Sequence, residues 1–310
     1  MRILVTGHRG FLGQYISRQL ISRGHMVFGI SRGEFISDLP PQQQLAADLS
    51  DSAAVTRFVY DVQPEVVIHL AAESSVAESW IDPEKIVFTN VMGTLRLIKI
   101  LLKVKSVRLW VNAGSAEEYR ASQHLKRMTE NHRLFPANPY GTTKLSQEIM
   151  LRQILESAGI EFVQFRMFNI TGPGQSNKFV LASFVDQLAR ILKHMKEPVI
   201  VTGDLSKVRD FVDVRDVSLL YCEAVEGRIP SGVYNVCSGV GRRLDNILRQ
   251  LISLAQVQVK IVEDHSRYRY GDRDFMVGSP GRIQKYMPTF PSIPWEKTLA
   301  DMLSLASVRL

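Results

Sequence analysis

A short apolar stretch at the start of the chain leads directly into three glycines, and this arrangement constrains the fold more than any other feature. Residues 3–5 are Ile-Leu-Val, and Thr-Gly-His-Arg-Gly-Phe-Leu-Gly follows, ending at Gly13. Gly7 permits a tight turn, Gly10 lets an anion approach bare backbone, and Gly13 lets a helix pack closely on a strand. A helix beginning here directs its positive N-terminus at bound phosphates. The pattern predicts a dinucleotide site in a first βαβ unit.

Strand and helix patterns alternate after this turn. Helices are predicted at residues 13–23, 51–62, 83–103 and 139–157, and strands at residues 26–30, 65–70, 107–112 and 161–166. The predicted strands are nearly continuous apolar runs, which is typical of parallel strands buried on both faces. We therefore predict an α/β fold with a Rossmann-type, doubly wound parallel sheet.

The pattern of the sequence changes from residue 169, where Gly and Pro separate shorter predicted helices and strands. We predict an NADP-binding Rossmann domain over residues 1–168 and a smaller α/β substrate-binding lobe over residues 169–310. Residues 205–225 and 233–237 are apolar enough to return to the main sheet. The two lobes are therefore expected to interleave along the chain.

Composition limits the class of ligand. The 310 residues are 45% hydrophobic and 22% charged, as in ordinary globular proteins, and 38 Lys and Arg against 31 Asp and Glu give a net charge of +7. This charge attracts anionic ligands. The sequence has no block of basic residues and no nucleic-acid recognition motif, so we expect no nucleic-acid partner.

Cysteine usage and hydropathy bear on the compartment. Cys222 and Cys237 lie in apolar stretches without metal-ligand spacing, so we predict buried thiols and no metal site. The first strand begins directly after Met1, and no apolar run reaches membrane-spanning length. We therefore expect a cytoplasmic protein with no signal peptide and no membrane association.

The end of the second predicted strand bears on the choice of cofactor. Ser31 and Arg32 stand where an acidic residue would bind the ribose hydroxyls of NAD. A guanidinium here favours the 2′-phosphate of NADP, and Arg9 in the glycine turn supplies a second one. We predict NADP(H), with NAD(H) and a plain surface arginine as the alternatives. Asp48 and Leu49 are candidates for the adenine edge, and Asp48 is also placed to cap the next helix.

A phenol and an ammonium group stand one helical turn apart at Tyr140 and Lys144. A lysine cation favours the phenolate, so we expect Lys144 to lower the pKa of Tyr140 and to hold the nicotinamide ribose. Ser115 follows a predicted strand, at the carboxyl edge where open α/β sheets bind ligands. These three residues predict a site for proton exchange with a substrate oxygen.

Together these residues resemble the extended short-chain dehydrogenase/reductase family over essentially the whole chain. Segments similar to its nucleotide-sugar branch are residues 69–72, 90–94, 209–214, 234–239, 277–279 and 294–299. Residues 168–176, Phe-Asn-Ile-Thr-Gly-Pro-Gly-Gln-Ser, resemble the reductases of GDP-4-keto-6-deoxy-D-mannose, which form GDP-D-rhamnose.

The resemblance implies a role for each matching position. Ser115, Tyr140 and Lys144 are the implied catalytic residues, with hydride passing from NADPH to a C4 ketone. The residues expected at the cofactor are Gly7, Arg9, Gly10, Phe11, Leu12, Gly13, Ser31, Arg32, Asp48, Leu49, Leu70, Ala71, Ala72, Asn90, Tyr140, Lys144 and Phe168. Those expected at the substrate are Ser75, Asn169, Val180, Arg209 and Arg269. A salt bridge within the Arg-Asp-Phe turn, residues 209–211, is the alternative for Arg209.

Other reactions of the same family stay open. A GDP-mannose 4,6-dehydratase or an epimerase recycles its cofactor, and Glu117 is a candidate base for the dehydration, or else a turn carboxylate. A noncatalytic NADP-binding regulator is a third hypothesis. Departures from the family pattern at Arg120, Met167 and Ile170 leave open a hexose or heptose and a rhamno or talo product. The resemblance also implies a homodimer.

Overall fold

The computed structural model describes residues 1–33, 39–120, 126–268 and 271–310. The strands are β1 (Arg2–Thr6), β2 (Met26–Ser31), β3 (Gln44–Ala46), β4 (Val66–His69), β5 (Leu109–Ser115), β6 (Glu161–Met167), β7 (Asn169–Thr171), β8 (Val199–Thr202), β9 (Val208–Asp213), β10 (Gly232–Val236), β11 (Gly241–Arg243), β12 (Lys260–Glu263) and β13 (Phe275–Met276). The helices are α1 (Phe11–Ser22), α2 (Ser52–Val62), α3 (Val76–Ile81), α4 (Pro83–Val87), α5 (Gly93–Val104), α6 (Pro139–Ser157), α7 (Val180–Leu192), α8 (Val214–Val225), α9 (Leu244–Ala255) and α10 (Trp295–Arg309).

The main sheet has seven strands in the order β10-β6-β5-β4-β1-β2-β3. All its pairings are parallel. The chain winds outward from β1 to β3 on one side and from β4 to β10 on the other, so the order reverses between β1 and β4. The predicted doubly wound Rossmann sheet is confirmed. Ligands bind such sheets at the carboxyl ends of the strands, near this reversal.

Burial explains why these segments form central strands. The side chains of Ile3, Leu4 and Val5 are wholly buried, as are those of Val66 and Val67. Leu4 and Val67 are partners in the β1 and β4 register and lie in one apolar core. A side chain buried on each face of every central strand is the pattern that a covered parallel sheet requires.

Smaller sheets form a second unit. In one of them β9 pairs with β7, β11 and β13, and in the other β8 pairs with β12. Helices α7, α9 and α10 pack together over a core that includes Phe184, Leu248 and Leu299. This unit contains residues 126–129, 168–216, 237–268 and 271–310, and the first unit contains residues 1–33, 39–120, 130–167 and 217–236.

The division of the chain differs in detail from our expectation. Residues 205–216 belong to the second unit because β9 pairs with its strands, so the segment that returns to the first unit is Val217–Val236. Of that segment, β10 joins the main sheet, while residues up to Val225 form a helix. The stretch 126–129 also leaves the first unit, because Met128 pairs with the backbone of Val277.

The helix predicted at residues 83–103 is divided. Between α4 and α5 lies one π-helical turn, Phe88–Met92. The carbonyl oxygen of Asn90 in this turn accepts hydrogen bonds from Thr94 Oγ1 and Gln147 Nε2, both at 2.6 Å. A π turn adds one residue to a helix without changing its apolar face greatly, so periodicity alone does not reveal it.

The described helices include none that is both long and apolar enough to cross a membrane. Cys222 and Cys237 are buried thiols, as predicted. Burial raises the pKa of Cys222 to about 12. Over the residues placed in the structure, no group of three or more His, Cys, Asp and Glu side chains could hold a metal ion.

Candidate active site

The glycine turn connects β1 to α1 at the reversal of the strand order. Gly7 adopts a φ of +71°. A Cβ atom at Gly13 would lie 2.3 Å from the carbonyl oxygen of Gly7, so only glycine allows this close packing. Gly10 precedes the helix and has no side chain to cap the amides of Phe11 and Leu12. These N-terminal amides and the helix dipole suit a pyrophosphate.

A chain of hydrogen bonds connects the glycine turn to the end of β2. Gln44 Nε2 donates to the carbonyl of Leu39, which leaves Gln44 Oε1 to face His8 Nε2 at 3.2 Å. The other ring nitrogen, Nδ1, lies 3.0 Å from Ser31 Oγ. Burial lowers the pKa of His8, so its ring is neutral and donates at one nitrogen only. Ser31 Oγ, which lies against His8, also accepts from the amide of Arg9 at 3.3 Å.

Two guanidinium groups lie beside this chain. Arg9 Nη1 donates to the carbonyl oxygen of Arg32 at 3.4 Å. The side chain of Arg32 is 55% exposed, with Nη2 at 2.7 Å from Glu73 Oε1 and Nε at 4.0 Å from Asp48 Oδ2. Exposed ion pairs of this kind are weak, so Arg32 is able to exchange Glu73 for a phosphate.

The helix cap considered for Asp48 is wrong. Asp48 Oδ1 accepts from the amide of Ser50 in a turn, whereas Asp51 Oδ1 caps α2 through the amide of Ala54 at 3.1 Å. Leu49 is buried in the core of the first unit. Its position beneath the Asp48 turn is compatible with the predicted apolar contact to a base.

The loop after β4 is attached to β1 by a hydroxyl group. Thr6 Oγ1 accepts from the amides of Leu70 and Ala71, both at 3.2 Å. Ala72 follows and is partly buried. Three small or apolar residues thus border the glycine turn. Their size is compatible with a dinucleotide cofactor bound beside them.

Asn90 has a structural role in this loop. Its Oδ1 accepts from the amide of Glu73 at 2.8 Å, and its Nδ2 donates to the carbonyl of Glu73 and to Thr143 Oγ1. The side chain is wholly buried. Asn90 therefore positions the loop and helix α6 instead of presenting a polar group of its own.

Ser115, Tyr140 and Lys144 meet at the carboxyl edge of β5. Ser115 is its last residue, and Tyr140 and Lys144 lie one turn apart at the start of α6. A hydrogen bond with Ser115 acts on the Tyr140 hydroxyl. Lys144 is buried, and its Nζ donates to the carbonyl of Ala113 at 2.9 Å. The two hydroxyls and the ammonium thus form one polar cluster.

The expected effect of Lys144 on Tyr140 is wrong in this structure. Burial raises the pKa of Tyr140 far above its usual value, and the hydrogen bond with Ser115 only partly opposes this. Burial also lowers the pKa of Lys144 to about 8. Desolvation disfavours the charged form of each group and is the largest cause of each shift. Tyr140 is therefore a protonated phenol, ready to donate.

Glu117 is held by the first turn of α6. Its Oε2 accepts from Asn138 Nδ2 at 2.8 Å, while Asn138 Oδ1 caps the helix through the amide of Gly141. The backbone amide of Glu117 donates to Ser115 Oγ at 3.1 Å. Glu117 thus lies beside Ser115, and its carboxylate is engaged by the residue that caps α6.

Two polar residues behind this cluster are not predicted from the sequence. His69 is buried between Thr6 Oγ1 and Thr94 Oγ1, both at 2.8 Å, and burial lowers its pKa to about 3. Glu118 is also wholly buried, next to Arg166. A charged residue inside an otherwise apolar strand, as at Arg166, was the signal that a buried carboxyl had to exist nearby.

The residues expected at the substrate are mostly engaged within the protein. Ser75 caps α3 through the amide of Glu78, and Asn169 Nδ2 donates to the carbonyl of Asp210 at 3.1 Å. Arg209 lies in β9 and forms an ion pair with Asp272, so the alternative of a salt bridge within residues 209–211 is wrong. Val180 begins α7 and is partly buried. Arg269 lies outside the described residues.

Phe168 is the first residue of the second unit, unlike the other predicted cofactor residues. It is 6% exposed. A Cβ atom at Gly278 would lie 2.6 Å from the Phe168 ring, so the ring packs closely against the backbone of Gly278. Asn169, Val180 and Arg209 share this unit with it.

The fold and the relatives of this chain define its class, the NAD(P)-dependent oxidoreductases. The chain belongs to the NAD dependent epimerase/dehydratase family, whose model matches residues 3–237. It is 30% identical to a GDP-6-deoxy-D-mannose reductase of Pseudomonas aeruginosa, over 98% of this chain and 96% of that protein. It is 27% identical to a GDP-6-deoxy-D-talose 4-dehydrogenase of Aggregatibacter actinomycetemcomitans, over 91% and 90% of the two chains.

A solved structure gives the same relationship. The Pseudomonas aeruginosa protein RMD, complexed with NADPH, superposes with a TM-score of 0.87 at 29% identity, covering 100% of this chain and 99% of that one. The resemblance of this chain to the extended short-chain dehydrogenase/reductases is confirmed.

Proposed function

We propose that the protein reduces the C4 ketone of a GDP-linked 4-keto-6-deoxy sugar with NADPH. The observation that carries this proposal is the cluster of Ser115, Tyr140 and Lys144 at the carboxyl edge of β5. The similarity to a GDP-6-deoxy-D-mannose reductase over nearly the whole chain supports the substrate class. The cofactor, when bound, supplies a hydride to the ketone carbon.

The residues of the cluster handle the proton. Tyr140 is protonated, so it is able to donate to the oxygen on which negative charge develops, while the Ser115 hydroxyl stabilises that oxygen. Lys144 has a pKa of about 8 and is mostly cationic at neutral pH, which stabilises the phenolate left on Tyr140. Its Nζ is also expected to hold the nicotinamide ribose.

NADPH is favoured over NADH by charge. Arg9 and Arg32 converge at the end of β2, where the adenosine ribose lies in dinucleotide folds. Ser31 Oγ, at the same strand end, accepts from the amide of Arg9. The two guanidiniums are therefore the groups proposed to bind the 2′-phosphate, and NADH is the alternative cofactor.

The second unit is proposed to bind the nucleotide sugar. Asn169, Val180 and Arg209 of this unit are assigned to the sugar nucleotide, together with Ser75 of the first unit. Arg269 is assigned from the family resemblance alone. Arg209 would exchange Asp272 for a diphosphate oxygen, which is a stronger partner for a guanidinium. The sugar pocket determines whether the substrate is a hexose or a heptose. It also determines whether the product has the rhamno or the talo configuration.

The second candidate is a dehydratase or epimerase that recycles its cofactor. The observation that favours it is Glu117, whose carboxylate lies beside Ser115 and requires only release from Asn138 to act as a base. A noncatalytic NADP-binding regulator is disfavoured by the intact catalytic cluster.

We also propose a cytoplasmic homodimer. Helices α3 to α6 expose a set of large apolar side chains, namely Trp80, Ile81, Val87, Phe88, Met92 and Ile149. Exposed apolar side chains of this kind indicate a protein partner. In a symmetric dimer, the same side chains of a second copy would cover them. The two buried thiols are compatible with a reducing compartment.

Incubation of the purified protein with GDP-4-keto-6-deoxymannose and either NADPH or NADH tests the reduction. The proposal requires one equivalent of reduced cofactor to be oxidised per product, whose C4 configuration is then read by NMR. Turnover of GDP-mannose without net cofactor oxidation would establish the dehydratase instead. Absence of any change in nicotinamide absorbance would refute the reductase.

A further inference from the structure

A buried carboxyl group supports the backbone of Ser115. Glu118 is wholly buried, and its Oε1 accepts from the amide of Ser115 at 2.7 Å. Ser115 Oγ in turn caps the short helix that contains Glu118, so the two residues form a reciprocal capping box. The position of the Ser115 hydroxyl thus depends directly on the Glu118 carboxyl.

The cation next to Glu118 is committed to another carboxylate. Arg166 donates to Glu148 through two bonds, Nε to Oε2 at 2.8 Å and Nη2 to Oε1 at 2.6 Å. Its remaining Nη1 donates to the Tyr119 hydroxyl and to the carbonyl of Glu130. Glu118 Oε2 lies 3.3 Å from Arg166 Nε, whose hydrogen is directed to Glu148.

Glu118 Oε2 is therefore a buried oxygen without a donor among the residues that the structure describes. An ionised carboxylate in this position would leave a desolvated charge beside a second carboxylate. A protonated carboxyl has a hydrogen to donate, and Glu148 is the acceptor next to it. One proton thus satisfies both carboxyl groups.

We propose that Glu118 is a positioning residue, a neutral carboxylic acid that donates its proton to Glu148 and holds Ser115 through its carbonyl oxygen. The positioning role of Glu118 in catalysis rests on the proposed reduction, whereas the location of the proton does not. Neutrality also spares Tyr140 a nearby negative charge, which would oppose ionisation of the phenol.

The direction of titration agrees with this arrangement. Burial raises the pKa of Glu118 well above its usual value, and the charge of Glu148 raises it further. Burial opposes ionisation of Glu148, but Arg166 outweighs it and the pKa of Glu148 is lowered. The charged and titratable groups that face Glu118 are Tyr119, Tyr140, Lys144, Glu148 and Arg166.

Matched substitutions locate the proton. Glu118→Gln keeps an acceptor for Ser115 and a donor for Glu148, so we expect an almost unchanged unfolding midpoint at about pH 4, where the carboxyl is largely protonated in the unfolded chain too. Glu148→Gln removes the anion that Arg166 requires and should lower the midpoint clearly. Infrared difference spectra should show a protonated carboxyl band at neutral pH that is lost in Glu118→Gln. A wild-type spectrum without this band, or equal destabilisation by the two substitutions, would overturn the proposal.

The pH dependence of stability has a defined sign. The folded protein retains a proton on Glu118 that the unfolded chain releases, so this contribution to wild-type stability is lost as pH rises through the folded-state pKa. Glu118→Gln does not ionise, so its stability relative to wild type should increase between about pH 5 and pH 9. A constant difference over this range would contradict a protonated Glu118.

The kcat values of two Glu118 variants test its positioning role. Glu118→Leu removes the acceptor of the Ser115 amide and should lower kcat about 10- to 100-fold while the Kd for NADPH is unchanged, because a small displacement of a catalytic group is costly. Glu118→Gln should restore kcat to within about threefold of wild type. Equal kcat losses in both variants would refute the positioning role, whereas the infrared and stability results stand even if the sugar substrate is another one.

Discussion

At the scale of residues, desolvation governs ionisation at the carboxyl edge of β5. Tyr140 has a raised pKa and Lys144 a lowered one because burial disfavours their charged forms. Ser115 stands between the Tyr140 hydroxyl and the Glu118 carboxyl. The cluster in this state is arranged to give up a proton, which is the task of an acid in a ketone reduction.

Tyr140→Phe tests the acid directly. The substitution removes only the hydroxyl, so we expect kcat to fall about 10²- to 10⁴-fold, the usual contribution of a general acid, with little change in the Kd for NADPH. Fluorescence titration and steady-state kinetics measure the two quantities. Tyr60→Phe, at a side chain that is 45% exposed, is the matched control and should behave as wild type. Full activity of Tyr140→Phe would show that another group donates the proton.

Arg32→Ala tests the recognition of the 2′-phosphate. Loss of a charge-assisted bond should weaken NADPH binding about 10- to 100-fold and leave NADH binding nearly unchanged. Calorimetry with both cofactors measures the difference. Arg57→Ala, at an exposed position on α2, should alter neither affinity. Parallel losses for NADPH and NADH would place Arg32 outside the phosphate site.

At the scale of elements, the π turn Phe88–Met92 joins three parts of the first unit. Its Asn90 holds the loop after β4 through Glu73 and holds α6 through Thr143. The carbonyl that the π turn releases binds Gln147 of α6. The turn therefore fixes α6, and with it Tyr140 and Lys144, relative to the end of β4.

Asn90→Ala should destabilise the protein strongly for this reason. It removes three buried hydrogen bonds and leaves their partners unsatisfied, which should reduce the free energy of unfolding by about 2–4 kcal/mol. Urea denaturation measures the loss. Asn131→Ala, at an exposed side chain, is the control and should change stability by less than about 0.5 kcal/mol. A loss as small as that of the control would show that the hydrogen bonds of Asn90 contribute little.

At the scale of the whole molecule, a single copy of the chain leaves the large apolar side chains on α3 to α6 exposed to solvent. Ile81 is 82% exposed, and Phe88 and Met92 are 46% and 41% exposed one turn apart. Charges at the centre of a dimer interface remain desolvated and unpaired. The double substitution Phe88→Asp and Met92→Asp should therefore convert the proposed dimer to a monomer.

Light scattering after gel filtration measures this change in mass. Ile261→Asp is the control, because Ile261 is similarly exposed, at 41%, but lies on β12 of the second unit. It should leave the mass unchanged. A wild-type protein that is already a monomer, or a dimer that survives the double substitution, would contradict the proposed interface.

The sequence by itself determined the architecture of the first unit. The apolar runs, the glycine turn and the alternation of helix and strand are local signals in the sequence. The strands are recognisable as apolar runs because both faces of the sheet are buried. The order of the elements then limits the topology to a right-handed, doubly wound sheet. Tyr140 and Lys144 were predictable together because helical geometry alone brings them to one face.

Only the tertiary structure decided what depends on contacts between distant segments. The neutral Glu118, the buried His69, the raised pKa of Tyr140 and the π turn at Asn90 all result from desolvation and from partners far away in the chain. The same is true of Arg209, whose ion pair with Asp272 joins residues 63 positions apart. Local sequence patterns carry no record of the dielectric surroundings of a side chain, and these surroundings determine where its proton lies.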